Sequence, residues 1–104
     1  MLPPIILSIA GSDCSGGAGI QADIKSISAL GGYAASVITA VTAQNTLGVQ
    51  SVYPIPADMV KAQIASVMDD LRPDAVKIGM VYDAGIVTAI VDCLQTYTPE
   101  CIVY

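Results

Sequence analysis

At 104 residues the chain holds one domain at most, because single domains usually run to about 100–150 residues. It is 54% hydrophobic and 12% charged, with a mean hydropathy of +0.66, which implies surface meant to be covered: an incomplete domain or an oligomer, a homodimer being expected. Four basic residues against nine acidic ones, a net charge of −5, form no basic stripe that would neutralise a phosphate backbone, so nucleic acid is excluded as a partner.

The chain opens MLPPIILSIA, with no basic leader region. It has no run near the roughly 18 apolar residues of a membrane span, so no membrane association and a cytoplasmic location are expected. Residues 5–10 are mostly apolar and stop at Gly11, as a strand buried on both faces of a parallel sheet would. Over residues 18–30, Ile20, Ile24, Ile27 and Leu30 recur at spacings of four and three, placing one apolar stripe on a helix that stops at Gly31-Gly32. Residues 35–43, ASVITAVTA, are rich in β-branched side chains and predict a second buried strand ending near Gln44. Residues 48–55, GVQSVYPI, alternate loosely and carry Pro54, which predicts a shorter, more exposed strand near an edge or in a flap.

Pro56 and Asp58 open a second helix with Met59, Val60, Ile64, Val67, Met68 and Leu71 on its buried side, halted before Pro73. AVKIG, residues 75–79, makes another short strand. Asp83 then caps a helix whose apolar positions are Ile86, Val87, Ile90, Val91 and Leu94, closed by Thr98-Pro99. The final CIVY reads as the opening of a buried strand, so the chain is expected to be the N-terminal part of a longer protein. Alternating strands and helices predict an α/β layered fold with a mainly parallel sheet and right-handed crossovers.

The sequence has no histidine, which excludes a Ser-His-Asp triad, a histidine-ligated metal and the H-E-x-x-H pattern. A general base would be a carboxylate, a lysine or a tyrosine. Cys14, Cys93 and Cys101 are odd in number and lack C-x-x-C spacing, which fits free thiols in a reducing compartment. Cys14 is either a space-filling residue or a thiol activated by a helix N-terminus, and Cys93 and Cys101 read as core or surface residues without chemistry.

Open α/β sheets bind ligands beyond the carboxyl ends of their strands. That rule selects Gly11, Ser12 and Asp13, then Gln44 and Asn45, then Met80, a set suited to a small planar polar ligand. In GSDCSGGAGIQAD, Gly11 and Gly16 have the spacing of a G-x-x-x-x-G-K-S/T phosphate loop, but Gly17-Ala18 stand where the lysine must be. Gly17-x-Gly19-x-x-Ala22 fits the dinucleotide fingerprint of an oxidoreductase, yet the second strand ends in Gln44-Asn45 without the carboxylate that would hold a ribose. A tight turn with close helix-to-sheet packing would also use these glycines. Ser12, Asp13 and Ser15 add small polar groups able to hold an anion or a ligand hydroxyl. Asp23 is either a surface carboxylate near a helix start or, between Ile20 and Ile27, a group that faces the pocket. Gln44 either caps a turn or pairs its amide with a heterocycle edge. Met80 is either filler or a thioether stacked on a flat ring.

The run AGSDCSGGAGIQADIKSISALGGYAASVITAVTAQNTLGV, followed by RPDAVKIGM, resembles the hydroxymethylpyrimidine/phosphomethylpyrimidine kinase family of the ribokinase-like superfamily, over residues 5–104. The ordered series GSDxSGGAGIQADxK, TAxTAQNT and KIGM carries the likeness. The resemblance implies a three-layer α/β/α ribokinase-like fold with a mainly parallel sheet, cut after its fourth or fifth strand. It implies ATP-dependent phosphorylation of 4-amino-5-hydroxymethyl-2-methylpyrimidine and then of its monophosphate, with Mg2+, in thiamine biosynthesis. Gln44 falls on the residue that hydrogen-bonds the pyrimidine; Gly11, Asp23 and Met80 match other pocket positions, and Thr42 is expected to line the same pocket. Cys14 stands where the family commonly has serine. The family's catalytic aspartate and most of its ATP and Mg2+ sites belong to a glycine-rich C-terminal motif, so this chain alone is expected to lack kinase activity. Pyridoxal or pyridoxine kinase is the nearest rival, and a non-catalytic small-ligand module is another.

Overall fold

The computed structural model describes residues 2–104. In chain order its elements are β1 (Ile5–Ala10), α1 (Gly19–Ala29), β2 (Tyr33–Ile38), β3 (Ala40–Asn45), β4 (Gly48–Pro54), α2 (Ala57–Asp70), β5 (Ala75–Ile78), α3 (Ala84–Tyr97) and β6 (Ile102–Val103). The strands β2-β1-β5-β6 form one sheet, every neighbouring pair parallel. The strands β3 and β4 form a separate antiparallel hairpin.

Strand periodicity sorts side chains between the two faces of the sheet. Leu7 and Ile9 of β1, Val37 of β2 and Val76 of β5 are fully buried against Val60 and Ile64 of α2 and Ile86 and Ile90 of α3. Each such aliphatic contributes about 1.5–3 kcal/mol by leaving water, so this face is the main store of stability. On the other face Ser8 of β1 meets Asp23 of α1. Helix, sheet and helix pair make the three layers that the resemblance implies. The loop at α1's end matches too: Gly31 takes φ +88° and the backbone closes on Ser28 and Ile27. Asp83 caps α3, its Oδ1 accepting from the Ile86 N–H at 2.9 Å.

The predicted single strand over residues 35–43 is a correction. The chain leaves the parallel sheet at Thr39 and starts the hairpin at Ala40. The cause lies in hydrogen bonding. Gln63 of α2 accepts from the Ile38 N–H and donates to the Ile38 carbonyl, both at 3.0 Å, so the outer edge of β2 is closed by a side chain instead of a strand. Thr39 is fully buried and tied to three strand ends: its N–H donates to Ala10, its hydroxyl to the Met80 carbonyl, and its carbonyl accepts from Ile55. The β-branched run continues across the bend, so composition gives no sign of it. The exposed flap strand predicted over residues 48–55 is β4.

Three helix faces also depart from the predicted stripes. On α1, Ile20 is buried but Leu30 is 89% exposed and Ile24 borders on exposed, because the sheet face beneath is small and polar. Met59 of α2, and Val87 and Val91 of α3, point outward as well. Strand β6 pairs with β5 on one side, and its residues are half exposed where a buried strand was predicted.

The order β2-β1-β5-β6 positions the site. From β1 the chain runs through α1 to β2, and from β5 it runs through α3 to β6, in opposite directions across the sheet. The loops leaving β1 and β5 therefore part from each other, and the crevice between them is where such sheets take ligands.

Candidate functional site

The loop after β1 is organised by one carboxylate. Asp13 is buried, and it accepts from the Ser15 N–H at 3.0 Å, the Ser15 hydroxyl at 2.7 Å and the Ala18 N–H at 2.9 Å. The Ser15 hydroxyl is the main reason its pKa lies below the ordinary 3.8, burial opposing it and the backbone donors adding to it. Both Asp13 oxygens thus hold donors of the loop that they shape. Gly19 explains the start of α1: it takes φ +61°, and a Cβ there would collide with the Gly11 carbonyl, which accepts from Ile20 at 2.9 Å. The last glycine of the stretch serves close packing.

The hairpin is stitched to this loop. Ser12 donates from its N–H to Ala40, and its hydroxyl accepts from the Thr42 N–H at 2.9 Å. The Thr42 hydroxyl donates to the Ser12 carbonyl at 2.7 Å and lies 3.2 Å from Gln44 Oε1. The Cys14 thiol donates to the Thr42 carbonyl at 3.0 Å. With the one Thr42 proton committed chiefly to the shorter bond, the Gln44 amide keeps its NH2 donors and a carbonyl lone pair for a ligand.

A bulge sets what faces Gln44. Ala43 pairs with Ser51 but Gln44 pairs with Val49, so Gln50 is the extra residue on β4. Without it the regular alternation would set polar Gln50 opposite Gln44. With it, Val49 joins Val52 on the inner face.

Between loop and hairpin lies a cavity of about 210 Å³, lined by Gly11, Thr42, Gln44, Val49, Val52, Lys77, Gly79 and Met80 among others. It is smaller than the roughly 300–1,000 Å³ usual for drug-sized ligands, and its size suits a single ring. Wider depressions of about 380 and 450 Å³ lie at the amino ends of β5 and β6, beside Arg72 and Tyr97, and between α2 and α3. Neither is at the strand carboxyl ends, where this topology binds ligands.

Four of the five predicted site residues, Gly11, Thr42, Gln44 and Met80, meet in the one cavity. Asp23 is placed one layer behind it: Oδ2 accepts from the Ser8 hydroxyl at 2.6 Å and from Lys77 Nζ at 2.8 Å. Lys77 itself lines the cavity, and sequence reasoning passed over it. The signal was present, for a lysine in the middle of the buried strand AVKI is costly unless paired. Val49 and Val52 were hidden because the bulge breaks the period of two that would have revealed them.

Among the described residues no three histidine, cysteine, aspartate or glutamate side chains gather closely enough to hold a metal ion. The one carboxylate lining the cavity, Asp13, is held by donors of its own loop, and the cavity is too small for a nucleotide. Among the described residues no helix is long and apolar enough to cross a membrane.

Residues 13–104 match the family model described as phosphomethylpyrimidine kinase. The chain belongs to the phosphomethylpyrimidine kinase family. It is 60% identical over 91 residues to the hydroxymethylpyrimidine/phosphomethylpyrimidine kinase of Escherichia coli, a match covering 88% of this chain and 34% of that protein. The crystal structure of phosphomethylpyrimidine kinase from Clostridium difficile superposes with a TM-score of 0.93 at 52% identity, covering 95% of this chain and 43% of that one. Pyridoxal kinase of Bacillus subtilis, in an ADP complex, superposes with a TM-score of 0.87 at 33% identity, covering 96% and 38%. The fold is thus that of the ribokinase-like kinases, and the oxidoreductase suggested by Gly17, Gly19 and Ala22 is set aside. The chain spans about a third of the length of the Escherichia coli and Salmonella typhimurium kinases it matches.

Proposed function

We propose that the protein carrying this chain is an ATP-dependent kinase that phosphorylates 4-amino-5-hydroxymethyl-2-methylpyrimidine and then its monophosphate. These residues supply the pyrimidine pocket. The observation that carries this reading is the cavity at the switch point between β1 and β5, where the Gln44 amide faces Val49 and Val52. An aminopyrimidine edge offers a donor beside an acceptor, the complement of a primary amide. The valines and the Met80 thioether supply apolar surface for the ring faces. Gly11 leaves the floor low enough for the ring to approach, Thr42 fixes the strand that carries Gln44, and Asp23 acts through Lys77.

The general base, the nucleotide site and the Mg2+ ligands belong, in this reading, to other parts of the full enzyme. Phosphoryl transfer depends on positioning, charge neutralisation and a base, so the isolated 104-residue chain should show no ATP turnover. A cytoplasmic homodimer completes the proposal, supported by three free cysteines and by exposed apolar residues such as Val41 and Tyr53 on the outer face of the hairpin.

Pyridoxal phosphorylation is the second reading, supported by the superposition on a pyridoxal kinase at 33% identity. Calorimetry on the natural gene product decides between them. The pyrimidine should bind and displace pyridoxal, and Gln44→Ala should weaken the pyrimidine about tenfold or more through loss of two hydrogen bonds. Tighter binding of pyridoxal, or full pyrimidine affinity in Gln44→Ala, overturns the reading.

A further inference from the structure

Of the four cationic side chains in the sequence, one lines the cavity. Lys61 pairs with Asp92 at 3.7 Å between α2 and α3. Arg72 lines the depression at the other end of the sheet, and Lys25 lies over Gly16 outside the cavity. Lys77 sits on an interior strand, between Ser8 of β1 and Val103 of β6. Its ammonium has three donors, and among the described residues Asp23 is its only hydrogen-bond partner. Two donors are left on the side of the cavity and solvent.

The surroundings keep that ammonium accessible. A Cβ at Gly79 would come within 3.1 Å of Lys77 Nζ and 2.9 Å of the Ala10 Cβ, so the glycine holds open the space above the charge. Asp13, the one carboxylate lining the cavity, turns its oxygens toward the Ser15 and Ala18 donors of its own loop. Lys77 is therefore the one cation lining the cavity, with its counter-ion Asp23 behind it and the Asp13 carboxylate turned into its own loop. A neutral alcohol leaves the Lys77–Asp23 pair undisturbed. A phosphate, which carries about −1.5 to −2 charges at neutral pH, draws on the two unused donors.

We propose that Lys77 is a specificity-determining residue that recognises the phosphate of an already phosphorylated pyrimidine, distinguishing the second substrate from the first. The proposal rests on the functional reading above. Because Gln44 and Lys77 share a cavity of about 210 Å³, a ring held at Gln44 has its phosphorylated arm near the ammonium.

The test is the ratio of dissociation constants for 4-amino-5-hydroxymethyl-2-methylpyrimidine and its monophosphate, measured by calorimetry on the natural gene product. Lys77→Met should shift that ratio against the monophosphate by about tenfold or more, and Lys77→Arg should recover most of it. Gly79→Ala, which crowds the ammonium without removing it, should shift the ratio the same way. In the wild type the preference for the monophosphate should fall as pH drops below the phosphate's second pKa of about 6. An unchanged ratio in folded Lys77→Met and Gly79→Ala overturns the role of Lys77 while leaving the kinase reading intact. Failure of the folded wild type to bind either pyrimidine overturns both.

Discussion

The two faces of β1 and β5 are built differently. Toward α2 and α3 they carry Leu7, Ile9 and Val76, fully buried in a continuous apolar layer. Toward α1 they carry Ser8 and Lys77, hydrogen-bonded to Asp23 at 2.6 and 2.8 Å. The same pair of strands therefore has one face that holds the fold and one face that holds a charge beneath a cavity. Polar atoms on the second face cost stability unless paired, and here they are paired. Placement of function on one side and cohesion on the other lets either be altered with little change in its counterpart.

The largest expected effect lies on the apolar face. Ile64 is fully buried, so Ile64→Ala should cost about 2–5 kcal/mol in a denaturant titration, while the surviving folded fraction binds ligand as before. A large loss of affinity without loss of stability would erase the distinction between the faces. Next comes Gln63, the polar exception on α2. Gln63→Leu strands the Ile38 N–H and carbonyl, which should cost about 1–3 kcal/mol and raise amide exchange through the hairpin, because Ile38 is where the chain leaves the sheet. Stability loss with an unchanged hairpin would show that Thr39 alone anchors it.

The smallest effect is a pH dependence in the loop that roofs the polar side. The folded pKa of Asp13 is lowered, chiefly by the Ser15 hydroxyl. Its contribution is complete above the ordinary value of 3.8 and is lost as pH falls through the lower folded value. Asp13→Asn should remove that acid-side loss and leave Ser15 and Ala18 amides exchanging faster at every pH. Retention of the wild-type acid profile in Asp13→Asn would assign the effect to another group.

The sequence made the apolar face legible because Val60, Ile64 and Met68 repeat at helical spacing and IILSIA needs no partner to read as a strand. It also made six cavity residues legible, Gly11, Ser12, Asp13, Gln44 and Met80 through the strand-end rule and Thr42 through the family motifs. Two things were not legible, each for a local reason. The bend at Thr39 is imposed by Gln63, twenty-four residues away, and by the Met80 carbonyl, while the local run stays β-branched throughout. The inner face of β4 is set by a bulge at Gln50, which shifts the alternation by one and makes a half-apolar strand look irregular. The placement of Asp23 was half legible: its apolar neighbours point it inward, but only the structure shows Lys77 standing between it and the cavity.

The central claim is that this cavity reads a pyrimidine through Gln44. A crystal structure of the natural gene product with 4-amino-5-hydroxymethyl-2-methylpyrimidine bound tests it most directly. The account predicts the ring between the Val49–Val52 surface and Met80, with the oxygen and nitrogen of the Gln44 amide both within about 3.2 Å of its edge. A ring seated instead beside Arg72 and Tyr97, or in this cavity with the Gln44 amide turned away, would contradict it.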